Sequence, residues 1–115
     1  MLNRAAILLK LKQTAVDWIN EADPLENPGI SIKSANEDRT VYLVSDEVAD
    51  DPVNVMHWLR LNWEALFEAE LEAWYRDESL WVQDRSFELF QEWFECECHS
   101  MITDTVGTLI KDDGY

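Results

Sequence analysis

Between Pro52 and Trp74 the chain contains no glycine and no further proline. Asp51-Pro52 opens that stretch, an N-cap acid followed by proline at the first helical position, which is a strong helix-start signal. A long helix is expected from there to Trp74, broken at most once. Plotted at ~100° per residue, Met56, Leu59, Trp63, Leu66, Phe67, Leu71 and Trp74 fall in one apolar stripe. Such a stripe has to be covered by something. A chain of 115 residues is long enough to bury roughly two-thirds of its unfolded surface in one domain.

Shorter elements surround this helix. Arg4 to Leu11 is rich in Ile and Leu and reads as a strand, with the run Ala5 to Leu9 closed by Lys10 and Lys12. That run is too short to cross a membrane, and no cleavage site follows it. Thr14 is the expected N-cap of a helix over Ala15 to about Ala22, stopped at Asp23-Pro24. Asn27-Pro28-Gly29 is turn chemistry. Ile30 to Ile32 reads as a short edge strand, Ser34 to Arg39 as a polar loop, and Thr40 to Val44 as the clearest strand by composition. Ser86 caps a further helix to about Glu95, and Cys96 to Val106 suits a final strand. Lys111 to Tyr115 reads as a loose tail after a single domain over residues 1–110. The order implies an α+β two-layer domain, a small sheet of about three strands with helices on one face. If the strands at Arg4–Leu11 and Thr40–Val44 are neighbours, the helix between them predicts a parallel pair with a right-handed crossover.

The charge narrows function. The chain carries 24 acidic and 9 basic residues, a net charge of -15. Hydrophobic content of 47% argues against disorder. The acidity argues against direct binding to nucleic-acid phosphates or anionic membranes. Much of it is local: residues 64–97 hold eleven acids against Arg76 and Arg85, a net of -9. Glu64, Glu68 and Glu72 form one column on the long helix, and Glu88 and Glu92 another on the short one. Each is either a solvated face or a docking surface for a basic partner, with imitation of a nucleic-acid backbone a lesser alternative.

Several clusters of residues are similar to those of a group of small acidic bacterial proteins of unknown function. They are Asp17-Trp18, Tyr42-Leu43, Phe67-Glu68-Ala69-Glu70-Leu71 with Trp74, Asp77-Glu78-Ser79-Leu80-Trp81, Arg85-Ser86-Phe87, Phe90, Trp93-Phe94 and His99-Ser100-Met101. The chain departs from that pattern at Val82, where proline would be expected after Leu80-Trp81. The resemblance implies a bacterial, cytoplasmic single domain, and it carries over no activity, cofactor or catalytic residue.

Three further features bear on chemistry. Cys96 and Cys98 lie two apart, with His99 beside them and His57 on the long helix. On a strand both thiols share a face while His99 points away, so a zinc site is poorly served and small core residues in a reducing cytoplasm fit better. Glu70 falls inside the apolar stripe, where a carboxylate must be paired, hydrogen-bonded or protonated. Arg85, Arg60 or Arg4 would supply a counter-charge. The alternatives are a structural ion pair, or a small enzyme or ligand-binding domain in which Glu70 and Arg85 act beside a Trp-lined pocket. A helix break near Asn62 would remove the anomaly. Finally, six tryptophans crowd a small core. Trp58 and Trp81 lie off the main stripe and are either exposed hot-spot residues or a second core layer.

No Gly-rich phosphate loop, serine nucleophile elbow, H-E-x-x-H or EF-hand loop is present, so no cofactor is expected. The favoured expectation is a non-enzymatic cytoplasmic protein-interaction module. Its acidic, Trp-bearing surface would meet a basic protein or pair as a homodimer.

Overall fold

The computed structural model describes residues 1–25 and 27–114. The elements run β1 (Arg4–Leu11), α1 (Gln13–Ala22), a single turn α2 (Ile32–Ala35), β2 (Val41–Ser45), a 3-10 turn (Asp46–Asp50) and α3 (Pro52–Trp74). A second 3-10 turn (Glu78–Leu80), α4 (Phe87–Trp93) and β3 (Phe94–His99) complete them. The fold is α+β, with a three-stranded sheet in the order β2-β1-β3.

Alternation along the strands sorts the two faces of that sheet. Ala5, Ile7, Leu9 and Leu11 of β1 point inward with Tyr42 and Val44 of β2 and Phe94, Cys96 and Cys98 of β3. The helices cover this inner face. Leu59, Leu66, Phe67 and Leu71 of α3 are buried, along with Val16 and Ile19 of α1 and Phe90 and Trp93 of α4. Phe67 is 0% exposed. Its ring meets those of Phe90, Trp93 and Phe94 at centroid distances of 5.8, 5.2 and 5.6 Å, within the range for favourable edge and tilted contacts.

α3 is unbroken through Asn62, and Asp51 caps it as expected, its carboxylate accepting from the Val53 N–H at 2.8 Å. Ser86 likewise accepts from Leu89 N–H at the start of α4. The start of α1 differs from expectation. Lys12 occupies the cap position with no side-chain capping bond, its Nζ donating to the Gln91 carbonyl at 2.8 Å, and Thr14 lies inside the helix. The Lys12 N–H is held by the Trp93 carbonyl at 2.8 Å, and the Lys12 carbonyl accepts from Ala15 and Val16. The strand is therefore pinned where it ends and turns directly into the helix, which leaves no residue for Thr14 to cap.

The largest departure concerns β2, which is antiparallel to β1, with Leu8 opposite Val41 and Arg4 opposite Ser45. Two asparagine clamps account for it. Asn20 donates to the Ile30 carbonyl at 3.1 Å and accepts from the Ile30 N–H at 2.9 Å. The turn before it uses Gly29 at φ +92°, where a Cβ would lie 3.2 Å from the Asn20 side chain. Ile30 to Ile32 thus forms no strand, because Ser31 caps α2 by accepting from Ser34 N–H. Asn36 then accepts from Leu11 N–H at 2.8 Å and donates to Leu11 C=O at 3.0 Å, standing in for a neighbouring strand. The connection so delivers the chain to the end of β1 where that strand finishes, and from there β2 has to run backwards.

The final strand is also displaced from Cys96–Val106. It starts at Phe94, directly after α4, and ends at His99. Beyond it Leu2 N–H still bonds the Ile102 carbonyl at 2.7 Å, while residues 103–114 have no helix or strand. Tyr115, the last residue of the expected tail, lies outside the described residues.

Asn36→Ala removes both bonds to Leu11 and should cost about 1–3 kcal/mol, the penalty for stranding backbone groups. Urea unfolding measures this, and a loss no larger than that of a surface substitution would contradict the clamp.

Candidate functional site

Because α3 presents residues three and four apart to the same surface, burying Leu66, Phe67 and Leu71 takes Glu70 inward with them. Glu70 is 7% exposed, the one buried charged or polar residue among the described residues. Its carboxyl is hydrogen-bonded by the Tyr42 hydroxyl from the inner face of β2. Burial pushes the carboxyl up to about 7, opposed in part by that bond. Burial and then the nearby Glu70 charge push the Tyr42 phenol up as well, so the phenol stays a donor across the neutral range.

The expected counter-charges are elsewhere. Arg85 places Nη2 3.2 Å from Glu68 Oε1 and donates from Nη1 to the Val82 carbonyl. Arg60 lies over the Phe87 ring at 4.8 Å, and Arg4 donates to the Asn3 carbonyl. The reason is geometric. Glu68 is on the outer side of α3 facing the loop that carries Arg85, whereas Glu70 faces the sheet. The Glu70–Arg85 pair anticipated from the sequence is therefore not assembled.

Glu70 separates two spaces. On one side lies a void of about 10 Å³ whose lining includes Trp18, Trp74 and Trp93. It is the Trp-lined pocket of the sequence reading, but it holds one water at most. On the other side is a cleft of about 210 Å³ bounded by Leu11, Asp38, Arg39, Thr40, Ala73 and Trp74. Arg39, missed from the sequence, has Nη1 3.2 Å from Glu97 Oε1. The guanidinium holds the Glu97 carboxyl below its usual range.

The remaining candidates are scattered. Cys96 and Cys98 face inward and line an apolar groove of about 430 Å³ with Pro52, Val55, Met56 and Leu59. Burial, helped by Cys98 and Glu97, pushes the Cys96 thiol up to about 11, which disfavours the thiolate needed for attack or metal binding. His99 is on the opposite face, 3.8 Å from Glu97, and His57 is exposed on α3. Among the described residues no group of three His, Cys, Asp or Glu is placed to hold a metal ion. No helix among them is long and apolar enough to cross a membrane.

Glu64, Glu68, Glu72, Glu88 and Glu92 are all exposed. The tryptophans are not. Trp93 is buried, and Trp18, Trp58, Trp63, Trp74 and Trp81 are half-buried against the core. Of the two readings for Trp58 and Trp81, the second core layer is the one present. The Trp81 indole N–H finds the Tyr75 carbonyl at 2.7 Å, and that of Trp18 finds the Leu80 carbonyl at 3.0 Å. The Tyr75 hydroxyl donates to the Ile19 carbonyl. The first of these bonds closes the loop between α3 and α4 on itself, and the other two fasten it onto α1.

Exposed apolar side chains include Val53, Met56 and Leu61 on α3 and several in the C-terminal segment. Two more lie on the outer face of the sheet, the face opposite the helices that bury its inner side. Val41 and Leu43 are 53% and 50% exposed there, next to Leu8 and Ala6 of β1. Arg4, Lys10 and Arg39 and, on β3, Glu95, Glu97 and His99 rim them.

Comparison with protein-family models gave no match, and neither the curated proteins nor the solved structures yielded a significant relative.

The Glu70 environment predicts a pH dependence. Between its ordinary value of 4.5 and about 7, the native state holds a proton that the unfolded chain releases. Stability from this group therefore falls as pH rises through that window and levels off above it. The groups facing it are Tyr42 from β2 and Asp38 and Arg39 from the turn after α2. Glu70→Gln keeps the neutral form at every pH and should gain about 3 kcal/mol on the wild type between pH 5 and pH 8. Parallel pH–stability curves for the two proteins, from urea unfolding, would contradict this.

Proposed function

We propose that the protein is a non-enzymatic interaction module that pairs with a second copy through the open face of its sheet. The observation that carries this is the half-exposure of Val41 and Leu43 on a face that no helix covers. Side chains of that size on a regular strand give a rigid apolar centre, and a mixed polar rim around it is the ordinary anatomy of an interface.

Electrostatics favours a second copy over other occupants. The helical side carries the glutamate columns, so two copies approaching through it repel. The sheet face carries both signs, with Arg4 and Lys10 on β1 and Glu95 and Glu97 on β3. A two-fold axis through such a face sets each copy's basic residues toward the other's acidic ones, the self-complementarity that an isologous dimer requires. The acidic helical face has Leu61 exposed beside its glutamates but no exposed indole, the usual anchor of a hot spot. Docking of a basic protein there is accordingly the lesser proposal.

Sedimentation equilibrium at physiological salt tests the pairing. The wild type should sediment as a dimer at high micromolar concentration, and Leu43→Arg as a folded monomer with an unchanged circular dichroism spectrum. A wild-type monomer across that range would overturn the proposal, as would a Leu43→Arg dimer.

A further inference from the structure

We infer that the cleft beside Glu70 is a binding site for a small organic cation, specifically a primary ammonium on a short aliphatic chain. The cleft lies between α3, the start of β2 and the turn after α2; it shares Arg39 with the rim of the outer sheet face but does not depend on self-association. Its walls supply two carboxyl groups, Glu70 and Asp38, and one cation, Arg39. The Arg39 charge is paired with Glu97 at 3.2 Å, although the buried Nη1 makes no hydrogen bond. What remains is a concave site with an excess of negative charge.

Glu70 makes that excess consequential. Arg85 and Arg60 are committed to Glu68 and to the Phe87 ring. The hydrogen-bond partner that Glu70 does have, the Tyr42 hydroxyl, is a neutral donor. An ionised carboxylate accepts at about four lone-pair sites, and once buried it requires a countercharge or a proton. An ammonium offers that charge with three donors. Trp74 supplies an aromatic wall able to attract a cation, and Leu11, Ala35 and Ala73 supply apolar surface for a methylene chain. The exposed Thr40 and Asp38 stand at the mouth. The cleft, at about 210 Å³, has room for a short-chain amine and is too small for a folded peptide. The net charge of -15 concentrates cations around the molecule as a whole.

Binding exchanges one positive charge for another. The Glu70 carboxyl gives its proton to the buffer as the ammonium takes its place, so proton release accompanies binding at neutral pH.

Calorimetric titration of the full chain with cadaverine at pH 7, in two buffers of different ionisation enthalpy, tests the site. Saturable one-to-one binding with proton release is expected, weakened about tenfold by Glu70→Gln and severalfold by Asp38→Asn. Glu64→Gln, on the outer side of α3, should bind as the wild type does, and 1-pentanol, which lacks the charge, should not compete. Asp38 is exposed on a turn, so Asp38→Asn still decides the matter if Glu70→Gln fails to fold. Undiminished binding in either variant, no saturable binding, or amide shifts spread across Glu64, Glu72, Glu88 and Glu92 in place of the cleft would overturn the inference.

Discussion

One helix, α3, covers most of the inner face of a three-stranded sheet, and the positions of the other elements follow from that packing. Leu59, Leu66, Phe67 and Leu71 make the contact, and Phe67 sits where α4 and β3 bring Phe90, Trp93 and Phe94 together. α1 closes one flank, and the loop between α3 and α4 is fastened to it by Trp18 and Tyr75. A helical period near 3.6 does not let position 70 escape a surface that takes positions 66, 67, 71 and 74. The buried carboxyl is thus imposed by the same geometry that builds the core. The protein meets the cost with a neutral donor and a raised proton affinity, where an ion pair would have been the commoner answer.

The molecule divides its charges accordingly. The outer sides of α3 and α4 carry exposed glutamates whose like charges work slightly against their own helices. The outer sheet face holds the mixed signs and the apolar residues Val41 and Leu43. The two sides of the molecule therefore present different charge patterns to a neighbour, one of a single sign and one mixed.

Much of this architecture was legible in the residues. Asp51-Pro52 and Ser86 mark helix starts because capping is a local interaction between neighbours. The burial of Glu70 follows from periodicity alone. The course between Asp23 and Thr40 was not legible, since Asn20 and Asn36 act on backbone groups 10 and 25 residues away. Nothing in the sequence distinguishes such a clamp from an ordinary surface asparagine. The antiparallel β2 follows from those two side chains. Exposure of tryptophan also escaped local reasoning. Trp58 and Trp81 sit off the main stripe, and only the tertiary course of the loop after Tyr75 covers Trp81. Arg85 was assigned to the wrong glutamate for a related reason: Glu68 and Glu70 are neighbours in sequence but face opposite sides of α3.

The state of the Glu70 carboxyl underlies both the pH response and the ligand site. Its ionisation is directly observable by carbon-13 NMR of the side-chain carboxyl in a glutamate-labelled sample, assigned by comparison with Glu70→Gln. The buried environment predicts a titration midpoint near 7, well above the ordinary 4.5. A midpoint in the ordinary range, coincident with the exposed glutamates, would mean that the carboxyl is solvated or paired and would contradict the account.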